Sequence, residues 1–211
     1  MTKLETDSKG IPIKGPYPDQ PPVLVMYSAM TTIFSCIMGT VAFYAIVKDN
    51  AAADAKISLL AQYDLGYLYA ALIVLRVGQF LMGVNAGHAR KYCKVHPPDQ
   101  HVYEVKGAEG SKLGYVLMDQ EGVNGKFNRA QRAVVNYNET FPQTALYIVA
   151  GGFVFPKEML VLVSIYSAAR VMMAVGYASS VKGRMLGFMI SNLTGSLLEV
   201  LVGIIAYKAM A

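Results

Sequence analysis

The chain has 211 residues, of which 54% are hydrophobic and only 16% are charged. Average soluble domains carry about 25% charged residues, so this composition argues against a disordered chain and against an ordinary soluble enzyme. With only two cysteines, Cys36 and Cys93, a disulfide framework is excluded. A net charge of +5, without a basic run interleaved with aromatic residues, gives nucleic-acid binding little support. The mean hydropathy of +0.36 indicates a small protein with several membrane spans.

Five stretches are long and apolar enough to predict membrane-spanning helices, each of which needs about 20 mostly apolar residues. The first has no charged residue, and the third is the weakest because Asn136, Asn138 and Glu139 interrupt it. In chain order, the stretches cover residues 23–47, 65–87, 133–155, 158–178 and 185–207.

A polar, proline-rich tail, residues 1–22, precedes the first stretch and predicts an extended segment rather than a folded unit. The apolar stretch at 23–47 is long for the core of a signal peptide, and no small-residue cleavage site follows it. We therefore predict a retained helix at 23–47.

The distribution of cations predicts the orientation of the chain in the membrane. Five spans put the tail and the segments 88–126 and 179–184 on the same side, and most lysines and arginines fall there. The positive-inside rule assigns this side to the cytosol or its equivalent. We expect a multi-pass protein of an intracellular membrane, either the endoplasmic reticulum or a mitochondrial or other organellar membrane.

Polar side chains form a column on the third predicted helix. Their spacing of 3, 4, 3 and 4 residues puts them on one face at 3.6 residues per turn. A charge in the middle of a membrane costs on the order of 2.5–3.5 kcal/mol on insertion scales, so this face should contact another helix or a polar ligand. The column consists of Arg129, Arg132, Asn136, Glu139 and Gln143.

The next helix carries a second column, formed by Tyr166, Arg170, Met173 and Tyr177, with Arg184 beyond it near the following loop. Together the two columns offer cations for carboxylates, a carboxylate for an ammonium group, and phenol or amide donors. Such a set suits a small zwitterionic peptide with two carboxylates and one amine.

A structural interpretation of the same charges stays open. Arg132 or Arg170 could pair with Glu139 or Glu199 and hold the helices together without any ligand.

Three motifs resemble the signature of the MAPEG proteins, the membrane-associated proteins in eicosanoid and glutathione metabolism. They are ARKYCKVHPP at 89–98, FNRAQRAVVNYNETFP at 127–142 and YSAARVMMAVGYASSVKGRMLGF at 166–188. The likeness runs from about residue 65 to residue 207 and is strongest to the microsomal glutathione transferases and the leukotriene-forming synthases of that family.

The resemblance implies an all-α integral membrane protein. Residues 65–207 would form a four-helix transmembrane bundle with a long loop at 88–126, and residues 23–47 would be an extra transmembrane helix. It also implies a homotrimer that binds glutathione as a substrate between neighbouring subunits, near the membrane surface. Membrane lipids and a lipophilic second substrate would be its other partners.

Roles for individual residues follow from the same resemblance. Arg132 would hold a carboxylate of glutathione, Asn136 would bond its backbone, and Glu139 would take its amino group. Arg90 and Lys91 would add further carboxylate contacts.

Two more residues complete the implied site. Tyr177 would line the bound peptide, and Arg184 would be the catalytic residue that activates the thiol. The chemistry is consistent, because a thiol with a pKa of about 8.5 is little ionised at neutral pH and a neighbouring arginine favours the thiolate. No metal is expected, since His88, His96 and His101 lack the spacing of metal ligands on a helix.

Three positions depart from the family pattern. Met173 stands where a glutathione-contacting tyrosine is expected, Thr140 where an aromatic residue often follows the glutamate, and Val134 where a polar residue is usual. The first hypothesis is a glutathione transferase or peroxidase that acts on lipophilic electrophiles or lipid hydroperoxides. The second is a non-catalytic protein of the same fold, either a lipid binder or an accessory subunit of a larger membrane complex. A small transporter has weak support, because no inverted repeat is visible.

Overall fold

The structure, a computed structural model, describes residues 5, 8, 13–14, 23–47, 50–96, 99–107 and 114–211. The predicted tail, residues 1–22, therefore lies almost entirely outside the described residues. The described elements, in chain order, are α1 (Val23–Val47), α2 (Ala51–Gln62), α3 (Gly66–Cys93), β1 (Tyr103–Gly107), β2 (Gly114–Met118), α4 (Gly122–Gly152), α5 (Pro156–Ser179), a 3-10 turn (Lys182–Arg184) and α6 (Met185–Met210).

The helices α3, α4, α5 and α6 form a bundle in which α5 packs against the other three. Its interior contains fully buried apolar side chains such as Leu75, Met82, Ile148 and Val163. Tyr137 is also buried, and its hydroxyl donates to the carbonyl oxygen of Leu75 at 2.7 Å, which ties α4 to α3. Inside a membrane, such close packing and satisfied hydrogen bonds stabilise a bundle, because lipid supplies no hydrophobic driving force between helices.

Close backbone contact joins α5 to the first turns of α6. A Cβ atom on Gly187 would lie 2.5 Å from the backbone nitrogen of Met173 and 2.6 Å from the carbonyl oxygen of Ala169. A side chain does not fit there, and small residues are typical of such close helix approaches in membranes. Gly187 therefore lets the start of α6 lie directly against α5, beside Met173.

Four described segments are long and apolar enough to cross a membrane by length and composition. They lie within α1, in α3, in α5 and in residues Lys182–Met210, which include α6. The polar column lowers the hydropathy of α4, so this helix does not meet the same criterion, although it has 31 residues and packs in the bundle. The third predicted stretch is also the weakest in the sequence. The structure gives the reason: α4 buries apolar residues such as Ala133 in the bundle, whereas Arg132 and Glu139 of its polar column are half exposed.

The loop predicted at 88–126 is shorter in the structure, and both of its predicted boundaries are wrong. α3 continues past its start and α4 begins before its end. Arg90 and Lys91 lie in the last turn of α3, where cations favour the negative end of the helix dipole, and Lys94 ends the helix in a left-handed conformation with φ of 57°. An antiparallel hairpin formed by β1 and β2 occupies part of the remaining segment.

The helix α2 was not predicted. Asn50 begins it, because its side-chain oxygen accepts a hydrogen bond from the backbone nitrogen of Ala53 at 3.1 Å. None of its residues is buried. The extra helix α1 is present as predicted, and every described side chain within it is exposed.

Candidate functional site

A small cavity of about 150 Å³ opens where α4, α5 and the start of α6 meet. Four of the predicted site residues converge on it, two from α4, one from α5 and one from the 3-10 turn. Its lining consists of Arg132, Ala133, Asn136, Met173, Tyr177, Arg184 and Phe188.

The turn between α5 and α6 brings Arg184 back over α5. Gly176 and Gly183 approach so closely that a Cβ on either would meet the carbonyl oxygen of the other at 2.2–2.3 Å. The guanidinium carbon of Arg184 then lies 5.0 Å from the centroid of the Tyr177 ring, within the range of a cation–π contact. The tight turn therefore fixes a cation at the mouth of the cavity.

Arg129 belongs to the same polar column of α4, but its side chain bonds to backbone carbonyls and does not line the cavity. Its Nε donates to the carbonyl oxygen of Tyr177 at 3.0 Å and its Nη2 donates to that of Ala178 at 3.1 Å. Its Nη1 donates to the carbonyl oxygen of Gln120 at 2.8 Å. The last carbonyls of a helix lack partners within the helix, so Arg129 satisfies the end of α5 and fastens it to α4.

Glu139 lies beside the cavity and pairs with Arg132. The Nη1 of Arg132 is 3.5 Å from the Oε1 of Glu139, and the two side chains are 50% and 52% exposed. A half-exposed pair at this distance contributes little to stability, typically about 0–1 kcal/mol. Arg132 and Glu139 thus form the ion pair that the structural interpretation requires. Both side chains are still exposed enough to contact a ligand.

Arg90 and Lys91 do not reach the cavity within one chain. Arg90 is buried, and its Nη1 donates to the carbonyl oxygens of Asp99 at 2.6 Å and Val95 at 3.3 Å. Its guanidinium also stacks 4.8 Å from the ring centroid of Phe127. Arg90 therefore holds the segment after α3 against the bundle, which the motif alone does not reveal.

The three departures from the family pattern have clear surroundings. Met173 is only 4% exposed and forms part of the cavity wall. Thr140 donates to the backbone oxygen of Tyr137 at 3.1 Å and lies 3.4 Å from the hydroxyl of Tyr166. Val134 packs against the core and lines a different cavity, on the side of α3. Met173 is thus the departure that changes the chemistry of the candidate site.

Arg170 pairs with neither of the two glutamates considered for it. It is 4% exposed, and its guanidinium carbon lies 5.3 Å and 5.9 Å from the ring centroids of Tyr137 and Tyr166. Glu199 instead accepts a hydrogen bond from the hydroxyl of Tyr147 at 3.1 Å. In the part of the chain that the structure describes, the Nε and Nη2 of Arg170 are buried without a hydrogen-bond partner.

Among the described residues, no group of three or more His, Cys, Asp or Glu side chains could hold a metal ion.

A sequence model of the MAPEG family matches residues 67–204, which run from the beginning of α3 well into α6. The chain belongs to the MAPEG family. The predicted family and the predicted all-α membrane fold with an additional amino-terminal helix are thereby confirmed. A comparison with curated proteins found no match.

The matched region covers most of the bundle and every residue that lines the cavity, whereas α1 and α2 precede it. One fold commonly hosts several functions, so the activity depends on the cavity and its side chains.

Proposed function

We propose that this MAPEG protein is a membrane-bound glutathione transferase or peroxidase that acts on lipophilic electrophiles or lipid hydroperoxides. The observation that carries the proposal is the convergence of Arg132, Asn136, Tyr177 and Arg184 on one cavity. Glutathione has two carboxylates, one ammonium group, two peptide bonds and a thiol. Guanidinium groups suit the carboxylates and the ionised sulfur, the amide suits the peptide, and Glu139 suits the ammonium group.

The size of the cavity supports a site shared between copies of the chain. Pockets for ligands of this size typically measure about 300–1,000 Å³. The cavity of about 150 Å³ in one chain holds only part of the tripeptide. Arg132 and Glu139 are half exposed next to it, so a neighbouring copy would complete the enclosure, as the homotrimer of the family resemblance implies.

Arg184 is the residue we assign to thiol activation. A thiol with a pKa of about 8.5 is only a few per cent ionised at neutral pH, and each unit by which a cation lowers that pKa is worth about 1.4 kcal/mol. A guanidinium stays protonated where water is scarce, and the ring of Tyr177 at 5.0 Å holds it in place. The charge of Arg184 therefore favours the nucleophilic thiolate over the thiol.

For both substrate classes, glutathione and the substrate supply every atom and electron that the reaction requires. With a lipophilic halide, the sulfur forms a bond to carbon while the carbon–halogen bond breaks, and the thiol proton goes to solvent. With a lipid hydroperoxide, the sulfur attacks the outer oxygen, the O–O bond breaks, and the departing alkoxide takes a proton to give an alcohol. A second glutathione then converts the sulfenic acid to a disulfide and water.

The experiment is an assay of purified protein in mild detergent with excess glutathione and either a lipophilic aryl halide or a lipid hydroperoxide. We expect turnover above the detergent blank. Arg184→Ala should lower kcat at least a hundredfold with a smaller change in glutathione affinity, because its charge acts on the ionised sulfur. Lys182→Ala, which removes an exposed cation from the same turn, is the control and should stay within twofold of the parent.

A folded protein without turnover on either substrate would contradict the enzymatic proposal. Two observations favour the second function, an accessory subunit of a larger membrane complex. Met173 gives the cavity wall no hydrogen-bond donor, and every described side chain of α1 is exposed. Gentle solubilisation from its own membrane distinguishes the two: a single copy held in a larger complex supports the accessory role, and a separate homo-oligomer supports the enzyme.

A further inference from the structure

Two polar clusters lie on opposite flanks of α4, and neither takes part in the candidate site. The first joins α3 to α4. Arg76 donates through its Nη1 to the Oε1 of Gln79 at 2.9 Å, and the Nε2 of Gln79 donates to the Oδ1 of Asn138 at 2.8 Å. These three side chains line a surface cavity of about 330 Å³. This cluster leaves a guanidinium exposed within the apolar length of α3.

The second cluster joins α4 to α6. The Nε2 of Gln143 donates to the hydroxyl oxygen of Tyr147 at 3.0 Å, and that hydroxyl donates to the Oε1 of Glu199 at 3.1 Å. Glu199 is exposed and lies well inside the apolar length of α6. This cluster therefore leaves a carboxylate exposed at membrane depth.

The two clusters differ in depth by less than two helical turns. Asn138 and Gln143 mark them on α4, and a helix rises about 1.5 Å per residue, so the clusters are offset by about 7–8 Å along the axis. Side chains as long as those of Arg76 and Glu199 span such an offset.

One chain cannot bring the two charges together. Asn138 and Tyr147 are nine positions apart in the sequence, which at about 100° per residue puts them on opposite sides of α4. Accordingly, Asn138 bonds to α3 and Tyr147 bonds to α6. The exposed polar face of α4 lies between them.

Both charges lack a counter-charge in the described part of the chain. The ion pairs found there join Glu5 to Lys14, Arg132 to Glu139 and Asp64 to Lys157, and none includes Arg76 or Glu199. An arginine or an acidic residue facing lipid at the centre of a span costs on the order of 2.5–3.5 kcal/mol on insertion scales. A pairing between copies lowers both costs at once, because each charge then has a partner of opposite sign.

We propose that Arg76 of one copy pairs with Glu199 of the neighbouring copy inside the membrane. The contact is head-to-tail, because it joins the α3 flank of one copy to the α6 flank of the next, and such contacts generate closed rings when the rotation closes. The cavity lined by Asn136 and Arg184 lies on the α6 side of α4, so the neighbour's α3 covers it in this arrangement. The contact itself does not depend on glutathione turnover.

Charge exchange tests the pairing directly. Arg76→Glu and Glu199→Arg each put like charges at the contact, so each should raise the monomer fraction at least tenfold, measured by mass in mild detergent at matched concentrations. The combined Arg76→Glu/Glu199→Arg chain should return to within twofold of the parent. The control combines Arg76→Glu with Glu139→Arg, which should not restore assembly. A combined exchange no better than the single variants, or rescue by the control, would overturn the pairing.

Crosslinking through cysteines gives a second measurement that does not require the charge variants to fold. In a background with Cys36→Ser and Cys93→Ser, the pair Arg76→Cys/Glu199→Cys should give linked dimers and higher species with a short bismaleimide crosslinker. The crosslinker is needed because a direct disulfide requires Cα atoms within about 7 Å, which is less than an Arg–Glu pair spans. Either cysteine alone should give no more linked dimer than the background, because head-to-tail copies do not bring equal positions together. The matched control uses Val200→Cys, an exposed neighbour of Glu199 that points about 100° away. Linkage by the single cysteines, linkage to a different protein, or none at all would show that this surface does not meet a second copy as proposed.

Discussion

At the scale of single residues, substitutions of Arg132 and Glu139 can separate a structural role of this ion pair from a role in ligand binding. Their separation of 3.5 Å and their half-exposed side chains predict a contribution to stability of about 0–1 kcal/mol. A bound zwitterion would instead place an opposite charge on each of them in a more enclosed setting, where losing one partner typically costs about 2–5 kcal/mol. Stability and ligand affinity should therefore respond differently to the same substitution.

We expect Arg132→Leu and Glu139→Gln each to weaken glutathione binding at least tenfold while changing the melting temperature by less than about 3 °C. Titration calorimetry and thermal unfolding of the detergent-solubilised protein measure the two effects. Lys157→Met is the control, because it breaks another exposed ion pair, that with Asp64 at 2.7 Å, on a different part of the chain. Unchanged binding in both site variants would leave the pair as a structural contact only.

Met173 offers a gain-of-binding test at the same site. A tyrosine there would add a hydroxyl in the cavity wall, and a net hydrogen bond of about 0.5–1.5 kcal/mol corresponds to roughly twofold to tenfold tighter binding. We expect Met173→Tyr to tighten glutathione binding within that range. Met172→Tyr serves as the matched control, because Met172 is the next residue in the chain but lines an apolar groove between α3 and α5 and not the cavity. Binding that is unchanged or weaker in a folded Met173→Tyr protein would contradict this prediction.

At the scale of elements, the junction of α4 with the end of α5 depends on Arg129. Its three donors serve the carbonyl oxygens of Tyr177, Ala178 and Gln120. Removing them leaves carbonyls at the end of α5 without these donors. Hydrogen bonds from charged groups typically contribute about 1.5–3 kcal/mol each. The total loss should be smaller than the sum of three, because the bond to Gln120 is exposed and water can replace that donor. We expect Arg129→Met to lower the free energy of unfolding by about 2–4 kcal/mol, measured by denaturation in mild detergent.

Arg132, one turn further along the same column, supplies the comparison for Arg129. Within the described residues, its guanidinium makes only the half-exposed pair with Glu139, so Arg132→Met should cost less than about 1 kcal/mol of unfolding free energy. Equal losses in the two variants would show that the backbone contacts of Arg129 do not fasten the helices.

The sequence predicts the long apolar elements and misses the short ones. The spans at α1, α3, α5 and α6 follow from hydropathy, because each must satisfy its backbone within lipid. The helix α2 has none of its residues buried and little periodic contrast, so no pattern marks it. The hairpin had a usable signal, since Tyr103 and Val105 alternate with polar residues before a glycine-containing segment, yet such short strands are easily taken for loop.

Helical spacing in the sequence predicts only part of the candidate site. The spacing on α4 and α5 brings out Arg132, Asn136 and Tyr177, and the family motif adds Arg184. Spacing cannot separate Arg129 from these residues, because its partners are backbone carbonyls that only the folded junction presents. The same holds for Arg90, whose partners are carbonyl oxygens of the segment that follows α3.

At the scale of the whole molecule, the polar face of α4 requires a cover. A single chain leaves Arg132 and Glu139 half exposed on a membrane bundle, with Arg76 on one flank and Glu199 on the other. Three copies around an axis would cover this face once per copy, which is the arrangement that the family resemblance implies. The same surface then serves assembly and ligand binding, so the two properties should be linked.

This linkage predicts that a substitution outside the cavity weakens glutathione binding through assembly. Arg76 does not line the cavity, yet Arg76→Glu should lower the apparent glutathione affinity in proportion to the monomer fraction, because the cavity of about 150 Å³ in a lone chain holds only part of the ligand. The Arg76→Glu/Glu199→Arg chain should recover assembly and affinity together. Mass in mild detergent and glutathione titration on the same samples measure both quantities. If the dissociated chain binds glutathione as tightly as the assembled parent, the site is complete in one copy and the proposal of a site shared between copies is wrong. The proposed ion pair between copies is tested separately, by the charge exchange.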